Sequence, residues 1–128
     1  MSQLVFVYGS LKRGYALHSL LEHATFVGTA VTEPLYRLFD LGHYPGLVEW
    51  PAGLAVHGEL YDVDEATLVE LDAAEGVAEE LYVRREIRLQ QPPSERQVHA
   101  WFWLGRVRNA TDCGDHWPAR APRPQLPQ

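Results

Sequence analysis

The sequence predicts an α+β domain of about six strands and one or two short helices, with its sheet curled toward a small barrel. Three observations predict this class. About six short segments are rich in β-forming residues, one segment has a helical repeat with capping residues, and the 128 residues suit a single domain. A sheet of this size must curl or be covered to bury its apolar face, which favours a barrel with helices packed against it.

The first half of the chain predicts four strands, bounded by glycine, proline or polar residues. These strands are residues 4–8, 25–31, 34–41 and 55–63. Pro34 is expected to begin a strand, because a proline inside a central strand would remove a ladder hydrogen bond. Between the strands, residues 9–14 predict a glycine-bounded loop, residues 16–22 one or two helical turns, and residues 43–46 a turn.

The second half predicts one clear helix and two more strands. Asp64 is a suitable N-cap for a helix from residue 65 to about residue 75, and Gly76 is suited to the position just beyond its end. Residues 81–89 alternate between apolar and polar side chains, which predicts a strand with one buried face. Residues 97–104 predict the last strand.

The end of the chain differs in composition from the rest. We expect residues 1–117 to form the domain and residues 118–128, which are rich in proline and end PRPQLPQ, to be a disordered tail. The alternative is that the PRPQLP segment docks in an SH3-like groove of a partner protein.

Composition and charge exclude several classes of function. A net charge of -6 and a pI near 5.4 disfavour a nucleic-acid partner, because binding to phosphates needs a basic surface. Cys113 is the only cysteine, which suits a reducing compartment. The sequence has no signal-peptide pattern and no run of about 20 apolar residues, so we expect a cytoplasmic protein without a membrane partner.

Glu75 is the most informative single position. On the predicted helix, Leu68, Leu71 and Glu75 are spaced i, i+3 and i+7, so the carboxylate lies within the apolar stripe. Burial and the negative end of the helix dipole would both raise its pKa, which suits a general acid/base near neutral pH. The alternative interpretation is a frayed helix end, with Glu75 extending into water.

The segment VYGSLKRG at residues 7–14 is the second candidate. A glycine directly after a buried strand permits a sharp turn with outward N–H groups, and such a nest binds carboxylate or phosphate oxygens. The spacing is neither a P-loop nor GxGxxG, and Ser10 lacks the GxSxG context of a hydrolase. The alternative is a plain connecting loop. We expect Lys12 and Arg13 to be surface charges rather than ligands.

Histidine and tryptophan add little to the choice of function. None of the six histidines has metal-ligand spacing, so we expect neither a metal nor another cofactor. Trp101 and Trp103 point to the same side of their strand and could line a cavity or fill the core.

Taken together, several motifs resemble those of the γ-glutamylcyclotransferase-like family, and within it the γ-glutamylamine cyclotransferase branch with its small bacterial relatives. The matching segments are VFVYGSLKRG (5–14), YPGLV (44–48), GELYDV (58–63), LDAAEG (71–76) and LYVRREI (81–87). The segment CGDHW (113–117) is similar to the family's GDW ending, with a histidine inserted. The order and spacing of these motifs make the resemblance specific.

The resemblance implies a mixed β-barrel with a cavity at one end, and a reaction. A γ-glutamyl compound cyclises on itself and releases 5-oxoproline and a free amine. By motif, Glu75 is the catalytic acid/base that takes a proton from the α-ammonium and returns one to the leaving amine. Substrate binding is implied for Tyr8, Gly9, Ser10 and Leu11, whose backbone N–H groups hold the carboxylate, and for Tyr82 at the cavity wall.

Two questions stay open at the level of sequence. A small-molecule binding module of the same fold, without turnover, is the alternative to an enzyme. The opening motif and the interval between GELYDV and LDAAEG favour an amine as leaving group rather than an amino acid. Arg84 shares a strand face with Tyr82, so it could enter the cavity and bind a second carboxylate.

Overall fold

The structure, a computed structural model, describes residues 2–15, 17–42 and 44–118. In this part of the chain a mixed sheet of eight strands packs with one α-helix, so the α+β class is confirmed, with more strands than the six expected. The strands are β1 (Ser2–Val7), β2 (Thr25–Asp40), β3 (Pro45–Glu49), β4 (Leu54–Asp64), β5 (Tyr82–Ile87), β6 (Leu89–Gln91), β7 (Val98–Trp103) and β8 (Thr111–Gly114). The helices are α1 (Glu65–Ala74) and a 3₁₀ turn at His18–Leu21.

The sheet is mixed and curled, but it does not close into the predicted barrel. Its strand order is β3-β2-β4-β1-β7-β5, with β6 and β8 also paired to β2. The β1–β7 pair is parallel and the other pairs are antiparallel.

Side chains rather than a strand ladder connect the two edges of this sheet. Tyr82 on β5 donates its hydroxyl to the carbonyl of Pro45 on β3, at 2.6 Å. Arg85 on β5 donates to Glu49 on β3, at 2.7 Å. The sheet therefore curls far enough for side-chain contact between β3 and β5, while the gap remains too wide for backbone hydrogen bonds.

The strand boundaries correct the sequence prediction in three places. β2 is one strand of 16 residues rather than two, and Pro34 lies inside it, where the pairing with β4 shifts register on either side of the proline. The predicted turn at 43–46 overlaps the start of β3, and His43 itself lies outside the described residues. The predicted strand 81–89 ends at Ile87, after which β6 pairs with β2 instead of β7.

The core lies on both faces of β1, which explains why its sequence is a continuous apolar run. Leu4, Phe6 and Tyr8 belong to a buried cluster on one face. Val5 and Val7 belong to the cluster on the other face, which includes Leu71 of α1. A strand buried on both faces lacks the alternation of a half-exposed strand.

The helix α1 begins and ends as its sequence predicts. The carboxylate of Asp64 accepts a hydrogen bond from the Thr67 N–H at 2.7 Å, as an N-cap does. Gly76 has a φ of +68° and donates to Ala73, while Val77 donates to Asp72, which together form a Schellman motif. Among the described helices, none is long and apolar enough to cross a membrane.

Candidate active site

The six residues predicted for the site all line one recess at the end of the sheet. This inner recess is formed by Phe6, Val7, Tyr8, Gly9, Ser10, Leu11, Tyr44, Pro45, Glu75, Tyr82 and Trp101. An outer cleft adjoins it and is lined by Ser10, Leu17, Tyr44, Ala74, Glu75, Leu81 and Tyr82. The recess has a volume of about 20 Å³, room for about one water, and the cleft has about 320 Å³. A larger depression of about 670 Å³ lies elsewhere and contains none of the predicted residues.

Glu75 reaches this recess because it is the C-cap residue of α1, directly before the chain reverses at Gly76. Its N–H still donates to the Leu71 carbonyl at 2.9 Å, so the residue retains helical geometry and is not frayed. Burial raises its pKa from 4.5 to about 7. No described residue forms a hydrogen bond or ion pair with its carboxylate. The side chain is therefore able to gain or lose a proton near neutral pH.

Asp72, one turn earlier on α1, has a different environment. Its Oδ1 accepts hydrogen bonds from Arg84 Nε and from Trp101 Nε1, both at 2.9 Å. Arg84 also contacts His99 Nδ1 at 2.6 Å. These bonds attach α1 to β5 and β7. Arg84 lines neither the recess nor the cleft, so the possibility that it enters the cavity is not realised.

The loop after β1 passes close beneath the start of β3. A Cβ atom on Gly9 would lie 2.5 Å from Cγ of Pro45, so only glycine fits there. Glycine is thus required because Pro45 lies so close, and not because the backbone has an unusual angle. No described group accepts a hydrogen bond from the N–H groups of Gly9, Ser10 or Leu11. Three successive donors consequently remain available beside the recess.

The two tyrosines of the site use their hydroxyl protons within the protein. Tyr8 donates to the Trp101 carbonyl at 2.6 Å and accepts from the Leu47 N–H. Tyr82 donates to the Pro45 carbonyl at 2.6 Å. Burial is the main cause that raises the pKa of each hydroxyl, and the negative charge of Glu75 adds to it. Both tyrosines therefore form walls of the recess and support β3.

The sequence prediction missed several residues of this site. Tyr44 and Pro45 line the recess, and Leu17 and Leu81 line the cleft. Tyr44 is 40% exposed and its ring lies 6.4 Å from that of Tyr82. The YPGLV motif contains Tyr44 and Pro45 and was the available signal for them. The motif predicts a turn, but it does not show that the turn lies over the recess.

The sequence prediction was wrong about one charged residue next to the loop. Arg13 has an exposed side chain, as expected, whereas Lys12 is only 6% exposed. Within the described ranges, no group of three or more histidine, cysteine, aspartate or glutamate side chains is arranged to hold a metal ion. Residues 119–128, which include most of the predicted tail, lie outside those ranges.

Comparison with known proteins gives a family match over most of the chain. Residues 5–119 match the family described as gamma-glutamyl cyclotransferase, AIG2-like. A Vibrio cholerae protein with the provisional name gamma-glutamylcyclotransferase is 41% identical over 115 residues, which cover 90% of this chain and 96% of the relative.

Solved structures agree with this match. The crystal structure of an AIG2-like protein from Mus musculus has a TM-score of 0.69 and 29% identity, covering 98% of this chain and 99% of that one. A uropathogenic Escherichia coli protein has a TM-score of 0.78 at 20% identity, covering 91% and 93% of the two chains, and it shows the similarity of fold alone.

Proposed function

This chain belongs to the gamma-glutamyl cyclotransferase, AIG2-like family, and from that premise we propose that it catalyses the cyclisation of a γ-glutamyl compound. The α-amino group of the substrate attacks its own γ-carbonyl carbon. A C–N bond of the new lactam forms, the C–N bond to the leaving amine breaks, and the products are 5-oxoproline and a free amine.

The observation that supports this proposal most strongly is the environment of Glu75. Glu75 is half-buried, desolvation raises the pKa of its carboxyl to about 7, and the carboxyl has no hydrogen-bond partner among the described residues. A carboxyl that is withdrawn from water without a partner is costly to maintain, so a role in proton transfer is a reason for its presence. Three N–H groups of the loop, which donate to no group in the described part of the chain, lie beside the same recess.

Glu75 supplies the proton transfers that this cyclisation requires. The α-ammonium group carries three protons, and the lactam nitrogen of the product carries one. The leaving nitrogen carries one proton in the substrate and three as an ammonium ion. Glu75 accepts protons from the first nitrogen and returns them to the second, so it ends the cycle as it began. The attack itself is intramolecular and needs mainly a folded substrate conformation.

The loop and the tyrosines hold and shape the substrate in this proposal. The N–H groups of Gly9, Ser10 and Leu11 bind the α-carboxylate, as successive backbone donors bind other anions. Tyr8 and Tyr82 form walls around the reacting group. They do not donate to it, because their hydroxyl protons already bond to backbone carbonyls. The recess is too small for a whole γ-glutamyl group, so the γ-carbonyl lies at the border with the cleft, beside Glu75.

The outer cleft favours an amine over an amino acid as leaving group. Its described lining contains no lysine or arginine, and Leu17, Tyr44 and Leu81 make it largely apolar. The carboxylate of γ-glutamyl-alanine lies next to the leaving nitrogen, where it would find no cation and would lose hydration without compensation. In an ε-linked γ-glutamyl-lysine, four methylene groups separate the leaving nitrogen from the carbon that carries the carboxylate. We expect a higher kcat/KM for an ε-linked γ-glutamyl-lysine than for γ-glutamyl-alanine. A tenfold preference for γ-glutamyl-alanine would refute the amine assignment and leave the cyclisation chemistry intact.

The test is incubation with a panel of γ-glutamyl compounds, with 5-oxoproline and the freed amine both measured by mass spectrometry. A matched control is the same substrate with its α-amino group acetylated, which cannot cyclise. The proposal would be supported if the substrate with a free α-amino group gave 5-oxoproline and amine in equal amounts and the acetylated substrate gave neither. A rise in melting temperature with the panel, but no product, would show a binding module instead.

A further inference from the structure

Lys12 is the only lysine in the sequence, and it is almost completely buried. Its Nζ donates to the Trp117 carbonyl at 2.6 Å, and it lies 5.1 Å from the centre of the Tyr15 ring. Lysine is among the residues least often buried, because the ammonium group loses its hydration. Burial lowers the pKa of the ammonium group, and the negative charge of Glu59 offsets this only in part, so the position of Lys12 calls for another explanation.

A second polar contact holds the same loop from β4. Glu59 Oε1 accepts hydrogen bonds from the Arg13 N–H at 3.0 Å and from the Tyr61 hydroxyl at 2.9 Å. Glu59 belongs to the GELYDV motif, whereas Trp117 belongs to the CGDHW segment near the end of the domain. Two distant motifs therefore converge on the residues that directly follow the proposed carboxylate-binding loop.

The segment that receives Lys12 is itself fixed to the sheet. The His57 N–H of β4 donates to the Asp115 carbonyl at 2.9 Å. The Trp117 ring is 9% exposed and lies 5.5 Å from the ring of Tyr15. Lys12 lines neither the recess nor the cleft, but a separate depression of about 400 Å³. Its contacts thus attach the loop to a segment that is bonded to the sheet and that does not line the recess or the cleft.

We infer that Lys12 is a positioning residue, whose bond to the Trp117 carbonyl holds the N–H groups of Gly9, Ser10 and Leu11 in place for the substrate carboxylate. The inference rests on the proposed function, since it assumes that this loop binds substrate. It gives the CGDHW segment a role in substrate binding, although this segment does not line the recess or the cleft. Loss of the bond affects substrate binding, while Glu75 on α1 is left unchanged.

The test compares Lys12→Met with Arg13→Met. Methionine keeps most of the apolar length of lysine and removes the donor. The Arg13 variant is a control for the loss of a positive charge in the same loop, because it removes an exposed ion pair with Glu59 at 3.7 Å and keeps the backbone N–H that Glu59 also binds. We expect Lys12→Met to raise KM about tenfold or more with kcat within about threefold, and Arg13→Met to change KM less than about threefold.

A second readout does not depend on turnover. The backbone amide NMR signals of Gly9, Ser10 and Leu11 should shift or broaden in Lys12→Met and not in Arg13→Met, while those of α1 stay the same. Unchanged loop signals, or an unchanged KM in an active enzyme, would overturn the inference. Absence of product from the wild-type protein would instead count against the proposed function, and the NMR comparison would still decide the role of Lys12.

Wild-type protein provides a check if Lys12→Met does not fold. As the only lysine, Lys12 gives a single ε-amine product on reductive methylation. The buried ammonium group reacts far more slowly than Nα-acetyl-lysine at the same pH, and more slowly still with 5-oxoproline present, which carries the carboxylate but no free amine. Methylation at the rate of free Nα-acetyl-lysine, or no protection by 5-oxoproline, would overturn the inference.

Discussion

The end of α1 and the loop after β1 both present to the same recess polar groups that have no partner among the described residues, yet they are built differently. At the end of α1, the carboxylate of Glu75 is unpaired and the bonds of Asp72 hold the helix in place. In the loop, backbone N–H groups are unpaired and polar contacts from outside hold the segment. The difference suggests that proton transfer depends on α1 and substrate binding on the loop, so the two can be perturbed separately.

Glu75→Gln should have the largest effect. The amide keeps the shape of the side chain but cannot exchange protons, so kcat should fall about 1,000-fold, within the range of general acid/base catalysis. The control is Glu70→Gln, an exposed position on the same helix, which should keep kcat within about twofold. If Glu75→Gln keeps more than about a tenth of the wild-type kcat, its assigned role is wrong.

The same variant should be more stable than the wild type at high pH. Because burial raises the pKa of Glu75 from 4.5 to about 7, the folded state binds this proton more tightly than the unfolded chain does. Wild-type stability therefore falls as the pH rises from about 4.5 to 7, whereas the glutamine variant does not titrate. We expect Glu75→Gln to gain roughly 3 kcal/mol at pH 8 and almost nothing at pH 4. Urea unfolding at several pH values measures this, and a difference independent of pH would contradict it.

Gly9→Ala tests the other region. A Cβ there would lie 2.5 Å from Pro45, so the loop and the start of β3 must move apart. We expect KM to rise about tenfold with a smaller change in kcat, measured by steady-state kinetics. Ser10→Ala should change KM less than about threefold, because backbone groups bind the carboxylate. A Ser10→Ala variant as inactive as Glu75→Gln would indicate a serine nucleophile and refute the cyclisation mechanism.

Asp72→Asn should have the smallest effect on turnover. It tests most directly the contrast between the carboxylates of Asp72 and Glu75. The amide oxygen still accepts a hydrogen bond from Arg84 or Trp101, but the charge is lost. We expect unfolding free energy to fall by about 1 kcal/mol, measured in urea, and kcat to fall less than about fivefold. If Asp72→Asn abolished turnover, the two carboxylates would share the chemistry and the distinction between them would fail.

Local patterns predicted those parts of the site that local geometry controls. The spacing of Leu68, Leu71 and Glu75 correctly placed the glutamate on the buried face, since the helical repeat alone determines the face. Asp64 and Gly76 marked the ends of α1 because capping depends on hydrogen bonds within a few residues. The apolar run at residues 4–8 likewise indicated a buried strand. The catalytic role of Glu75 and the binding role of the loop remain predictions.

Contacts between distant segments determined the rest. The sequence alone established a family resemblance, a mixed α+β sheet and a glutamate in an apolar stripe, because each depends on motifs or on short-range periodicity. Only the tertiary structure showed that Lys12 is buried against Trp117, that Gly9 is required by Pro45, and that Arg84 binds Asp72. It also decided that side chains, rather than a ladder, connect β3 and β5. These contacts join residues far apart in the chain, and whether they form depends on how tightly the whole sheet curls.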